Sequence, residues 1–220
     1  MATLRSLRSS TGYKSAAFAP KAAWMALKSL AGAPKSVWLT FDDGPHPAHT
    51  ARVLEILGKR SIRATFFFIG RNALREPRLV RDAFAAGHRI GNHTYTHPDL
   101  RTLGRNAIRD EIARTDDVLG PYLGQEKLFR PPHGARNADV DAVATELGYR
   151  TVLWSVSTRD WSEGYQPDRW VRHGARLVRL WDESRILLHD NLQTTADHLD
   201  AFLDRLGRID GISFAPPDTV

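Results

Sequence analysis

The stretch Val37-Trp38-Leu39-Thr40-Phe41-Asp42-Asp43-Gly44-Pro45 runs an apolar, β-prone segment into two adjacent carboxylates and stops it with Gly-Pro. It reads as a buried strand that delivers two acids to its exposed end, with a turn directly after. Adjacent carboxylates repel each other, so keeping both charged calls for a cation beside them. Taken alone, the same residues also fit a plain Asp-Asp-Gly-Pro turn at a strand end. The rest of the chain decides between the two.

Downstream, strand-like and helical segments alternate. Residues 36–41, 64–69, 88–92, 127–130, 149–154, 185–189 and 212–214 read as strands, and 48–59, 74–86, 107–119, 138–147, 168–180 and 196–206 as helices. Val53, Leu54 and Leu57 show the helical spacing, and Gly87, Gly120 and Gly148 mark helix stops. Alternation without repeat or linker predicts a parallel sheet with helices outside it. The fold class is therefore α/β, a distorted, seven-stranded (β/α) barrel, because residues 36–220 fall short of the roughly 250 of a full eightfold barrel. An open doubly wound sheet is the alternative, although no glycine-rich phosphate loop follows any strand.

The chain has 220 residues, 42% hydrophobic and 25% charged, which is ample for a folded core. It has no cysteine, so a metal site must use His, Asp or Glu, and neither a disulfide nor a thiol nucleophile is available. Its net charge of +6 is local. Six of the 31 basic residues lie in the first 35 positions with no acid among them, leaving 25 bases against 25 acids in the remainder. A basic tail on a neutral body does not predict a nucleic-acid partner. Residues 1–35 read as a basic N-terminal extension in which residues 22–27 suit a short amphipathic helix packed on the body. Lys14, Lys21 and Lys28 interrupt every apolar run there, and no stretch approaches the roughly 18 apolar residues of a membrane span. A cytoplasmic location is expected, with residues 36–220 as the catalytic domain.

The remaining polar residues collect at strand ends. Asp42 and Asp43 follow the first strand, His93 and His97 the third, Arg130 the fourth, Asp160 and Trp161 the fifth, and His189 and Asp190 the sixth. Carboxyl ends of barrel strands are where such folds build active sites. His93 and His97 are four apart, so one helical turn would bring both imidazoles to one side for chelation. Asp43 would complete an Asp-His-His set around a divalent cation. Asp42 then stays free as a base, with Arg130 as its bidentate counter-charge. His189 would act as general acid from the other side, oriented by Asp160.

Five stretches in order resemble the motifs of one family: Thr40-Phe41-Asp42-Asp43-Gly44-Pro45, His93-Thr94-Tyr95-Thr96-His97, Arg130-Pro131-Pro132-His133-Gly134, Arg159-Asp160-Trp161 and Leu187-Leu188-His189-Asp190. They are similar to the polysaccharide deacetylases, the NodB homology domain of carbohydrate esterase family 4, over about residues 36–215. Ala64-Thr65-Phe66-Phe67 and His97-Pro98-Asp99-Leu100 look most like the rhizobial NodB-type chitooligosaccharide deacetylases. The resemblance implies a barrel that binds zinc, with cobalt, nickel or manganese as alternatives, and removes acetyl from N-acetylglucosamine units of an oligosaccharide or related amino sugar. It implies Asp42 as base, His189 as acid and Asp43, His93 and His97 as ligands. It adds the backbone N–H of His133 as an oxyanion donor, and Trp161 and Leu187 as an apolar wall around the acetyl methyl group.

Two positions depart from the family pattern. Ser157 stands where the fourth motif usually has an acid, and His133 where the third usually has Tyr. The second change keeps the backbone donor, so both bear on substrate contacts rather than on the reaction. Trp154, Tyr165 and Trp170 are aromatic enough to stack on sugars but equally suit a core. Peptidoglycan, acetylated xylan or a small amino-sugar metabolite are rival substrates, and a non-enzymatic carbohydrate-binding protein would not need Asp42 and His189.

Overall fold

The structure is a computed structural model that describes residues 34–215. The suggested helix at residues 22–27 lies outside them. The elements in chain order are β1 (Lys35–Asp42), α1 (His49–Lys59), β2 (Thr65–Phe68), α2 (Gly70–Arg75), α3 (Pro77–Ala85), β3 (Arg89–Asn92), α4 (Arg105–Leu119), β4 (Lys127–Phe129), α5 (Ala138–Glu146), β5 (Tyr149–Thr151), β6 (Val156–Ser157), α6 (Arg169–Val178), β7 (Glu183–His189), α7 (Gln193–Gly207) and β8 (Ile212–Phe214). All strand pairs are parallel.

Seven strands follow one path, β5-β4-β3-β2-β1-β7-β6, and β8 pairs with β1 off that path. β5 and β6 end the path without pairing to each other, so the expected seven-stranded barrel is curled but open on that side. The seven are not quite those read from sequence. The segment expected at 149–154 ends as a strand at Thr151, and Val156–Ser157 forms a separate strand on β7. The C-terminal strand at 212–214 lies on residues 35–37 of β1 instead of in the barrel path. The predicted helix at 74–86 is two helices, because Pro77 lacks the N–H and the steric room a helix interior needs and so starts a new one.

Side-chain alternation along β1 and β2 feeds two different clusters. Val37, Leu39 and Phe41 of β1, with Phe66 and Phe68 of β2, pack in the main cluster that includes Val53 and Leu57 of α1 and Phe202 of α7. Their neighbours Trp38 and Phe67 turn the other way and meet Leu128 and Val152 inside the barrel. Trp38 Nε1 donates to Thr65 Oγ1 at 2.9 Å, which satisfies the indole within that interior. On β1 the same alternation sends Thr40 and Asp42 inward after Trp38. Among the described residues, no helix is long and apolar enough to cross a membrane.

Register sets the rim. Asp42 pairs with His189 of β7 and Phe67 of β2, while Asn92 of β3 pairs with Phe68 and Phe129. Asp42, His93, Arg130 and His189 therefore leave their strands at one level of the barrel. Gly91 makes room behind this rim: a Cβ there would lie 2.5 Å from Phe67 Cδ1 and 3.2 Å from the Leu128 carbonyl oxygen. Gly91→Ala should cost about 1–3 kcal/mol through overpacking. A urea melt should show a lower midpoint with unchanged slope, and an unchanged midpoint would mean that the interior yields at this point.

Candidate active site

Asp42 ends β1 buried and inward, at 3% exposure. Arg130, fully buried, reaches it across the barrel: Nη1 donates to Asp42 Oδ1 at 2.7 Å and to Thr40 Oγ1 at 2.8 Å. The expected bidentate pair does not form: only Nη1 reaches Asp42, Nε donates to the Val152 carbonyl at 2.9 Å, and Nη2 is buried without a hydrogen-bond partner among the described residues. The guanidinium stacks 4.1 Å above the Phe67 ring. Burial pushes its pKa down and the neighbouring Asp42 pulls it back.

Asp43 breaks from the strand with φ 74°, a left-handed conformation uncommon for a residue with a Cβ. That turn separates the two acids. Asp43 Oδ1 lies 3.3 Å from His93 Nε2 and 3.1 Å from His97 Nε2. The oxygen is buried and lacks a properly aligned hydrogen-bond partner. Burial pushes the carboxyl up, but the two imidazoles outweigh it and hold its pKa well below the usual carboxylate range.

The two histidines are brought together by a bend, which corrects the helical turn expected from their spacing. Residues 93–97 are irregular, and Thr94 and His97 both have positive φ, 67° and 65°. Asn92 Oδ1 accepts from Thr94 N at 2.9 Å. Glu111 Oε2 accepts from the N–H groups of Tyr95 and Thr96 at 2.9 and 2.8 Å. These two side chains satisfy the backbone donors that a helix would have used. His93 Nδ1 donates to the Arg130 carbonyl at 2.7 Å, which orients the ring so that Nε2 faces Asp43.

Among the described residues, Asp43, His93 and His97 offer three ligand atoms within 4.8 Å of one another. Two imidazole nitrogens and a carboxylate oxygen, one of them an orphaned buried atom, suit a divalent cation that keeps positions open for water and substrate. The donor set fits the expected metal.

On the other side of the cavity stands His189. Its Nδ1 donates to Asp160 Oδ1 at 2.9 Å, and Asp160 Oδ2 accepts from His189 N and Thr195 Oγ1, both at 2.8 Å. Asp160 is fully buried, and its two oxygens lock the imidazole in orientation and tautomer. Burial pushes His189 down, but Asp160 beside it and the nearby Asp43 and Asp42 outweigh this and raise its pKa to about 9.

These groups line one cavity of about 470 Å³, whose wall also includes His133, Trp161 and Leu187, together with Trp154, Ser157 and Leu192. Trp161 is 56% exposed at its mouth. His133 has φ 59° and stands edge-on to His97, ring centroids 4.8 Å apart. Burial and then His97 push its pKa down, partly countered by Asp43 and Asp99. Of the three candidate stacking aromatics, Trp154 lines the cavity, Trp170 is core, and Tyr165 packs against that core and against His173.

The sequence reading missed the supporting groups. Glu111 carried a signal: it lies on one helical stripe with Ile108, Ile112 and Thr115, all buried, where a carboxylate needs partners. Asp190 was placed at a strand end without a role. It is fully buried, and burial above all raises its pKa to about 7.

A curled (β/α) barrel with a His-His-Asp cluster, a buried acid and an Asp-held histidine on its carboxyl rim defines a hydrolytic type of site. Known proteins agree. The family model described as polysaccharide deacetylase matches residues 30–152. A peptidoglycan-N-acetylglucosamine deacetylase of Bacillus cereus is 37% identical over 172 residues, covering 78% of this chain and 60% of the relative. A chitooligosaccharide deacetylase of Sinorhizobium fredii is 39% identical over 154 residues, covering 69% and 70%. A family 4 carbohydrate esterase from Streptomyces lividans, solved in complex with acetate, superposes with a TM-score of 0.74 at 34% identity, covering 83% of this chain and 92% of that one. The chain belongs to the polysaccharide deacetylase family, and it spans 60% of the length of its Bacillus relative.

The raised pKa of His189 makes a prediction for metal-free protein. An imidazole raised above its ordinary 6.5 contributes stability that is fully present below that pH and lost as pH rises through about 9. His189→Gln should remove this contribution. Thermal midpoints of the two proteins should therefore converge between pH 6.5 and 9, and a constant difference across that window would contradict the assignment.

Proposed function

We propose that this chain is a metal-dependent N-deacetylase acting on N-acetylglucosamine units of chitooligosaccharides or related amino sugars. The observation that carries this reading is the division between two adjacent acids: Asp42 faces Arg130 inside the barrel, while Asp43 turns to His93 and His97. Asp43, His93 and His97 would hold the cation, and zinc suits their donor atoms best. When bound, it supplies Lewis acidity that polarises an acetyl carbonyl and lowers the pKa of water.

The chain's own residues would do the rest. Asp42 accepts the proton of the attacking water as the amide carbonyl becomes tetrahedral. The His133 backbone N–H donates to the developing oxyanion. His189, protonated and oriented by Asp160, gives its proton to the departing nitrogen, so acetate and a free amine are released. Trp161 and Leu187 hold the methyl group in an apolar wall. Residues 36–220 are the unit to which we assign this activity.

The names of the relatives support two substrate classes. The Sinorhizobium relative is named for chitooligosaccharides and the Bacillus relative for peptidoglycan. We favour the former because of the rhizobial look of residues 64–67 and 97–100. Acetate released from chitin oligomers, peptidoglycan fragments and monomeric N-acetyl sugars should be greatest with chitin oligomers. Asp42→Asn should lose at least ~100-fold in turnover, the lower range for a positioned base, while still binding zinc. Asp43→Asn should lose both activity and zinc. An Asp42→Asn protein with near-normal turnover would end the base assignment. A cytoplasmic location belongs to the same proposal, on the lysines that interrupt the apolar runs of residues 1–35. Fractionation of the native host should find the protein with cytoplasmic markers, and recovery from the medium or envelope would refute it.

A further inference from the structure

We infer that Asp190 is a positioning residue for the metal site, acting through the backbone of Gly44 to hold Asp43 in its ligating conformation. The inference rests on Asp43 being a ligand, as proposed above. Asp43 sits in a left-handed conformation at φ 74°, which a non-glycine residue keeps only where its surroundings over-determine it. Fixing the groups on either side of it is therefore a requirement for chelation.

The structure supplies those constraints from three elements. Asp190 Oδ1 accepts from Gly44 N at 3.1 Å, directly after the strained residue. Asp190 N donates to the Asp42 carbonyl at 3.3 Å, directly before it. Asn72 Nδ2 of α2 donates to the Asp43 carbonyl at 3.0 Å, and Ile69 N to the Gly44 carbonyl at 2.9 Å. The second carboxylate oxygen of Asp190 accepts from Thr50 Oγ1 at 2.5 Å, which orients the carboxylate from α1. Gly44 permits the approach: a Cβ there would lie 2.0 Å from Asp190 Oδ2.

Asp190 is fully buried, and the partners of its side chain are uncharged donors, an N–H and a hydroxyl. A buried carboxyl held by neutral groups is costly for stability alone. Its geometry gives it a purpose, since its two oxygens hold Gly44 and Thr50 at once. Asparagine in its place keeps the shape but only one acceptor.

Full-length protein stripped of metal and titrated with Zn2+ or Co2+ alone tests this. Asp190→Asn should weaken affinity about 10- to 100-fold, the usual effect of losing an outer partner of a ligand. It should also change the Co2+ absorption spectrum, which a general loss of stability would not. Thr50→Val, which removes only the donor behind the carboxylate, should shift affinity in the same direction by a smaller factor. In an Asp43→Asn background, Asp190→Asn should cause little additional loss, because its effect passes through Asp43. Wild-type affinity and spectrum in Asp190→Asn, or an undiminished penalty in that background, overturns the inference. Should Asp190→Asn not fold, unchanged affinity in Thr50→Val overturns it. Asp43→Asn with wild-type affinity would instead sink the ligand assignment on which it rests.

Discussion

Arg130 carries a guanidinium into a barrel interior otherwise filled by Trp38, Phe67, Leu128 and Val152, and meets Asp42 there at 2.7 Å. Burying such a pair is expensive, and a well-packed apolar substitute is often as stable or more so. The pair is therefore poor evidence of stability and good evidence of a requirement at the rim. Part of its cost is offset by local contacts, the Thr40 hydroxyl, the Val152 carbonyl and the Phe67 ring face, while Arg130 Nη2 is buried without a hydrogen-bond partner among the described residues. One residue thereby serves both halves of the site. The Arg130 side chain gives Asp42 its counter-charge, and the Arg130 carbonyl directs the His93 ring.

The second constraint is geometric. In a strand, successive side chains point to opposite faces, so Asp42 and Asp43 would diverge by half a turn and Asp43 would point at the helices. The left-handed φ of Asp43 cancels that alternation and brings it back over the cavity toward His93 and His97. Two neighbouring acids reach one site with different partners because one follows the strand and the other leaves it. The same device recurs at Thr94, His97, His133 and Arg159, each with positive φ and each in or beside a cavity loop. Backbone held in sparsely populated conformations clusters at functional sites because surrounding contacts there can be made to hold it.

What the sequence revealed, and what it hid, follows from the range of each interaction. Parallel strands and outer helices were legible because alternation and helical spacing are local, and Asp42, His93, Arg130 and His189 could be placed on one rim because parallel register does that for any such sheet. The break at Pro77 was also written in the chain, since proline cannot sit inside a helix. The bend at residues 93–97 was not. Its backbone donors are claimed by Glu111, a side chain from α4, and spacing alone made a helical turn the natural expectation. Arg130 pairs with Asp42 through one nitrogen while Val152, on the loop after β5, holds another, a long-range arrangement that no local pattern shows. The role of Asp190 depends on β7 lying beside β1, which no local pattern encodes.

The charges around the cavity tie these parts into one electrostatic unit. Asp42, Asp43 and Asp160 face it or its histidine, and Arg130 answers only one of them directly. The surplus is what lifts His189, and Asp43 and Asp42 add to the pull of Asp160. A cation held at Asp43, as proposed, would offset part of that pull and so lower the His189 pKa toward the neutral range, where the proposed general acid would work best. Linkage makes the effect mutual: what lowers the proton affinity of His189 also makes a proton on His189 oppose the cation. The affinity for such a cation would then rise with pH through the titration of His189. His189 on one side of the cavity and Asp43 on the other are thus coupled through space, without any contact between them.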